Sequence, residues 1–193
     1  MMIVFAAVSG CATAPPQPGS EEHLRADPPS GWQPGVQTQT PRLRLSEYVL
    51  MDPNEEGWVQ KLSYERLALK PVSEARTLVT GVEQEIRESC PNATFHNTFS
   101  GEENGYPTEV ALWTCPRYAV TQTGQISMLK VIQGQDALYT ITWAKRLPAN
   151  DAGADAESTK AEVARWSAYL SAVSVCDPRR QNCDVREQPD QRD

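Results

Sequence analysis

The side chains that could do chemistry in this chain are few and widely spaced. There are two histidines, His23 and His96, and five cysteines, at positions 11, 90, 115, 176 and 183. A serine or cysteine nucleophile needs a base within hydrogen-bond reach and usually a third group to orient that base. His96 is the one histidine outside the proline-rich N-terminal stretch. Period-two alternation sets it away from Phe95, Asn97 and Phe99 and toward solvent, as an ordinary surface histidine. No G-x-S-x-G elbow and no glycine-rich phosphate loop occurs. A zinc site finds no C-x-x-C pair and no second histidine in the regular part of the chain. No catalytic residue and no cofactor is therefore expected. One spacing permits a weak metal reading: Asp52, Asn54, Glu56 and Gly57 fall at positions 1, 3, 5 and 6 of a calcium-loop pattern. The twelfth position, which should be a bidentate glutamate, is Ser63, with Glu65 displaced by two. The same residues suit a hairpin turn, because aspartate and asparagine bond their own backbone and glycine tolerates positive φ. Glu102 and Glu103 are expected at another hairpin tip, serving solubility.

Cys11 stands in a different context from the other cysteines. Residues 2–8 form an apolar run too short to cross a bilayer as a helix, which takes about 20 residues. A short apolar segment followed by small residues reads as the end of a secretion signal over 1–10, to be set aside in reasoning about the fold. Val8-Ser9-Gly10-Cys11 resembles the lipobox of bacterial lipoproteins, a branched aliphatic residue and two small ones before the cysteine. The resemblance covers about eleven residues. It implies cleavage before Cys11, a diacylglyceryl group on its sulfur and acylation, such as by palmitate, of the new amino group. Two or more chains hold a protein stably on a membrane where one holds only marginally. By the sorting pattern of such lipoproteins, Ala12 after the cysteine favours the outer membrane, on its periplasmic face. Residues 11–42 then form a tether: Pro15, Pro16, Pro18, Pro28, Pro29, Pro34 and Pro41, with Gly, Gln and Ser between, predict an extended spacer.

Four cysteines are left, an even number that in an exported chain predicts two disulfides. Three pairings are open. Cys90–Cys115 with Cys176–Cys183 is preferred, the first tying the end of a helix to the end of a strand and the second closing a short Asp-Pro-Arg turn.

The elements that would hold these residues span 43–176. Residues 45–51 and 58–67 read as a hairpin around the turn 52–57. Val72, Ala75, Val79, Val82 and Ile86 recur at spacings of three and four, one apolar stripe of a helix, with Pro71 suited to its first turn and Pro91 ending it. Strands are expected at 94–99, 108–115, 125–133 and 137–145, with Tyr139, Ile141 and Trp143 on one face as core. Thr159-Lys160-Ala161-Glu162 matches a capping box, followed by a second stripe of Val163, Trp166, Leu170 and Val173. The predicted fold is α+β: an antiparallel sheet of about six strands in the order ββαββββα with two amphipathic helices packed on it, similar in outline to PsbP/Mog1-like domains. Residues 177–193 read as a charged tail with a small disulfide loop.

A net charge of −7 from 25 acidic and 18 basic residues, with no basic stripe, argues against nucleic-acid backbone binding. The expected function is a non-catalytic envelope lipoprotein, held on the membrane by its N-terminal lipid and contacting an envelope protein partner in the periplasm. The other readings are a periplasmic hydrolase, or a small-ligand or calcium-binding lipoprotein, whose site is assembled from residues distant in sequence.

Overall fold

The computed structural model describes residues 22–54, 57–69, 71–147, 156–181 and 183. Nine strands and two α-helices are found among them: β1 (His23–Arg25), β2 (Gln33–Gln39), β3 (Leu43–Met51), β4 (Trp58–Leu67), α1 (Ala75–Ser89), β5 (Thr94–Glu103), β6 (Tyr106–Cys115), β7 (Gly124–Gln133), β8 (Leu138–Leu147), α2 (Ala156–Ala172) and β9 (Ser174–Cys176). A 3₁₀ turn, Pro178–Arg180, follows. The strands β2-β3-β4-β8-β7-β6-β5 form one antiparallel sheet of seven, and β1 pairs with β9 in a separate two-stranded ribbon. The sheet is thus one strand larger than expected. The expected order reappears from β3 to α2, but β1, β2 and β9 extend it at both ends.

The additional strands correct the expected tether. Residues 22–42 are part of the fold rather than of a spacer, and long-range contacts hold them there. Glu22 is buried, and its carboxylate accepts hydrogen bonds from the backbone N–H groups of Gln135 (2.8 Å) and Asp136 (3.3 Å) in the β7–β8 turn. Tyr139 donates to the Glu22 carbonyl (2.9 Å) and Tyr169 to that of Asp27 (2.8 Å). Trp32 packs edge-on against Trp166 at 5.5 Å between ring centroids. Low apolar content argued for disorder, but one aromatic contact, two tyrosine hydrogen bonds and a buried carboxylate outweigh local composition.

The two helices lie on opposite faces of the sheet, because successive strand residues point to opposite sides. On β7, Ile126, Met128 and Ile132 join a core with Trp166, Leu170 and Val173 of α2. The alternate residues Leu129 and Val131 join a second core with Ala75, Val79, Val82 and Ile86 of α1. Tyr139, Ile141 and Trp143 pack together as expected, on the α2 side alone. Both predicted helices form with their apolar stripes turned to the sheet, half-buried along α1 apart from buried Ala75, but their starts differ. Helix α1 begins at Ala75 with Glu74 as its N-cap, so Pro71 lies outside it. Helix α2 begins at Ala156, ahead of the expected capping box. Glu162 instead accepts hydrogen bonds from Gln60 (2.8 Å), Arg165 (3.0 Å) and Lys145.

Candidate functional site

Helix α1 sits over β6 and β7, and leaves a trough between its flank and the edge strand β5. Its apolar floor and walls are Val79, Val82, Phe95, Ala111, Trp113 and Leu129, around a cavity of about 130 Å³. Phe95 stacks on Trp113 at 6.1 Å, and the Arg87 guanidinium lies 4.8 Å from the centre of the Phe95 ring. At the mouth a polar cluster surrounds Glu109, which is 8% exposed. Its Oε1 accepts from Arg76 Nε (3.3 Å) and Ser100 Oγ (2.8 Å), and its Oε2 from Asn97 Nδ2 (3.3 Å). Arg76 Nη2 donates to Ser100 Oγ at 2.8 Å. Nearby on α1, Arg87 pairs with Glu83.

The groups of this cluster bond one another. The carboxylate has three donors on it, one of them a guanidinium, and Ser100 spends its own proton on that carboxylate. His96 is opposite Leu112 across the strand pair, whereas Ser100 is opposite Glu109. Directly paired residues share a face, so the imidazole and the hydroxyl are on opposite sides of the sheet and form no nucleophile–base pair. The expectation that His96 is exposed and faces away from Phe95 and Asn97 matches the structure. Phe99 departs from it: the register shifts between Asn97 and Phe99, and the extra residue turns Phe99 to the His96 side, where it is 37% exposed.

The other residues singled out by sequence have these places. Cys90 and Cys115 form one disulfide, with Cα atoms 6.0 Å apart, and Cys176 and Cys183 form the other, at 4.8 Å. Cys11 and Glu56 lie outside the described residues. Asp52 Oδ1 accepts from Asn54 N (2.8 Å) and Nδ2 (3.0 Å), a self-bonded turn between strands β3 and β4 rather than a loop between helices. Ser63 is buried in β4 and donates to Glu47 Oε1 at 3.2 Å. No group of three or more His, Cys, Asp or Glu able to hold a metal occurs among the described residues. His23 belongs to β1, paired with Cys176.

Sequence patterns missed the buried charges. Lys130 is completely buried, and its ammonium contacts Glu103 and donates to the carbonyls of Leu170 (2.7 Å) and Val173 (2.9 Å) at the end of α2. Glu103, expected to serve solubility, is instead the counter-ion of that lysine. The one signal available was a lysine between Leu129 and Val131 in an otherwise apolar run. The tyrosine pair Tyr64 and Tyr169, whose hydroxyls touch, was likewise missed. Burial pushes the Tyr64 phenol far above its usual range and that of Tyr169 up to about 12.

Fold and site together define an α+β domain of two helices around a seven-stranded antiparallel sheet, closed by two disulfides. No family model matches the chain, and no curated protein matches it. Solved structures do match. LpqN of Mycobacterium tuberculosis, described as involved in cell envelope biogenesis, is 10% identical, with a TM-score of 0.48 over 82% of this chain and 86% of that one. PA94 of Pseudomonas aeruginosa, a protein of unknown function, is 12% identical, with a TM-score of 0.45 over 78% and 94% respectively. At these values neither likeness carries an argument about function. No helix among the described residues is long and apolar enough to cross a membrane.

Proposed function

We propose that this protein is a lipid-anchored module of the bacterial envelope that binds a protein partner and performs no chemistry. The observation that carries the reading is the pairing of Cys90 with Cys115 and Cys176 with Cys183, which accounts for every cysteine among the described residues and leaves Cys11 to be read from its sequence setting. Paired thiols belong to oxidising compartments. Cys11 then has the chemistry that its lipobox-like setting implies. Ala12 favours the outer membrane, and the periplasm is where the domain would meet its partner. The saturated polar cluster around Glu109 supports binding over catalysis. Docking of Glu22 also shortens the tether: it follows Cys11 by eleven positions, a stretch that can span at most about 40 Å. The domain would work close to the membrane surface.

The test is intact mass and non-reduced peptide mapping of the full chain purified from its native membrane. A diacylglyceryl group on an N-terminal Cys11, lost together with membrane association in Cys11→Ser, is the expected result. An unmodified Cys11 behind an intact leader overturns the reading.

A further inference from the structure

The sheet has two edges among its described strands, and they are built differently. An exposed edge presents unpaired backbone N–H and C=O groups that template pairing with another chain, and proteins blunt such edges with proline, lysine, bulges or inward charge. Strand β2 is blunted: Pro34 has no N–H to give, and the register shifts between Pro34 and Gln37. Strand β5 carries no proline, lysine or arginine. Its protection lies in its second half, where the register shift after Asn97 and the pair Glu102 and Glu103 interrupt pairing. The first four residues, 94–97, hold no proline, carboxylate, lysine or arginine, and Phe95, His96 and Asn97 border the trough beneath α1.

We propose that residues 94–97 accept an extended segment of a protein partner by strand addition, with an uncharged apolar side chain passing over Asn97 into the cavity. This deepens the partner reading above and rests on it. Strand addition takes its affinity from main-chain hydrogen bonds and its specificity from pockets for alternate side chains. Here the pocket is of one-side-chain size: a dry cavity of about 150 Å³ suffices to hold benzene, against about 130 Å³ in this trough. Charge selects the occupant as well. Arg76 is paired with Glu109 and Arg87 with Glu83, so a charged side chain entering the trough finds no opposite charge left over. A second copy of β5 does not supply the filling group. Its Phe95 is stacked on its own Trp113 and its Asn97 bonded to its own Glu109.

The experiment uses the full chain in solution and does not depend on the lipid, so its failure is distinguishable from failure of the anchoring reading. The probes are two short capped peptides, one alternating leucine with threonine and one alternating lysine with threonine. Amide hydrogen exchange followed by NMR should show the outward amides of 94–97 slowed at least tenfold by the leucine peptide. The lysine peptide should bind at least tenfold more weakly. Asn97→Trp, which closes the cavity mouth, should bring the leucine peptide down to the level of the lysine peptide. The comparison of peptides on the unmutated chain decides the matter if that variant does not fold. Equal binding of the two peptides, protection along β2 instead, or no protection overturns the proposal. So does protection of 94–97 that rises with protein concentration alone, which would make a second copy the occupant.

Discussion

Single residues in this protein matter most where a charge or hydroxyl is shut away from water. Lys130 satisfies the last carbonyls of α2 and the carboxylate of Glu103 from a fully buried position. A cation at a helix C-terminus is favoured by the aligned peptide dipoles, and removing one member of a buried pair strands the other. Lys130→Ala should therefore cost about 3 kcal/mol, read as a lower urea midpoint at unchanged slope. An unchanged midpoint would show that the carbonyls and Glu103 find other partners at no cost. The tyrosine pair predicts a pH response. Burial raises both phenols above the usual value of 10.0, so folding favours the protonated form. The stability they contribute is complete below pH 10 and is lost as pH rises from there toward the folded-state values, about 12 for Tyr169. Absorbance of tyrosinate followed against pH should show a late fraction that ionises together with unfolding. Tyr169→Phe should weaken that alkaline transition, and equal ionisation of all tyrosines near pH 10 would contradict it.

At the scale of elements, one of the contacts that hold the N-terminal segment is the β7–β8 turn, through Glu22. Gly134 sits where an added Cβ would overlap the Glu22 carboxylate and lie 2.8 Å from the Tyr139 ring. The constraint is space, since the residue is not in a left-handed conformation. Gly134→Ala should push Glu22 off Gln135 and Asp136 and loosen β1 from β9, while the seven-stranded sheet persists. Faster amide exchange confined to 22–25 and 174–176 is the expected outcome. Uniform loss of protection would mean that the segment and the sheet unfold as one unit. The same segment shows why composition misled. Its prolines and glutamines predict an unordered chain, but ordering needs only a few deep contacts, and Trp32 and Glu22 make them with residues more than 100 positions away.

For the molecule as a whole, the disulfides close loops of very different length. Cys90 and Cys115 are 25 residues apart, and Cys176 and Cys183 are 7 apart. By loop entropy they contribute about 3 and about 2 kcal/mol. Their combined loss should lower the melting temperature by roughly 10 °C or more in calorimetry of reduced against oxidised protein. A melting temperature that does not change would remove them as stabilising elements.

Local chemistry in the sequence determined the two helical stripes, the central hairpins and an even set of thiols, because periodicity and turn residues act over a few positions. Pairing two apolar stripes with a sheet was also legible, as α+β. Tertiary structure alone decided that α1 and α2 lie on opposite faces, since alternating apolar residues on β7 do not say which helix each face receives. It also decided that residues 22–42 join the sheet and ribbon, and that Glu109 gathers Arg76, Asn97 and Ser100. Those outcomes depend on burial and partners supplied from distant parts of the chain. A carboxylate in a strand reads the same in sequence whether it meets water or a guanidinium.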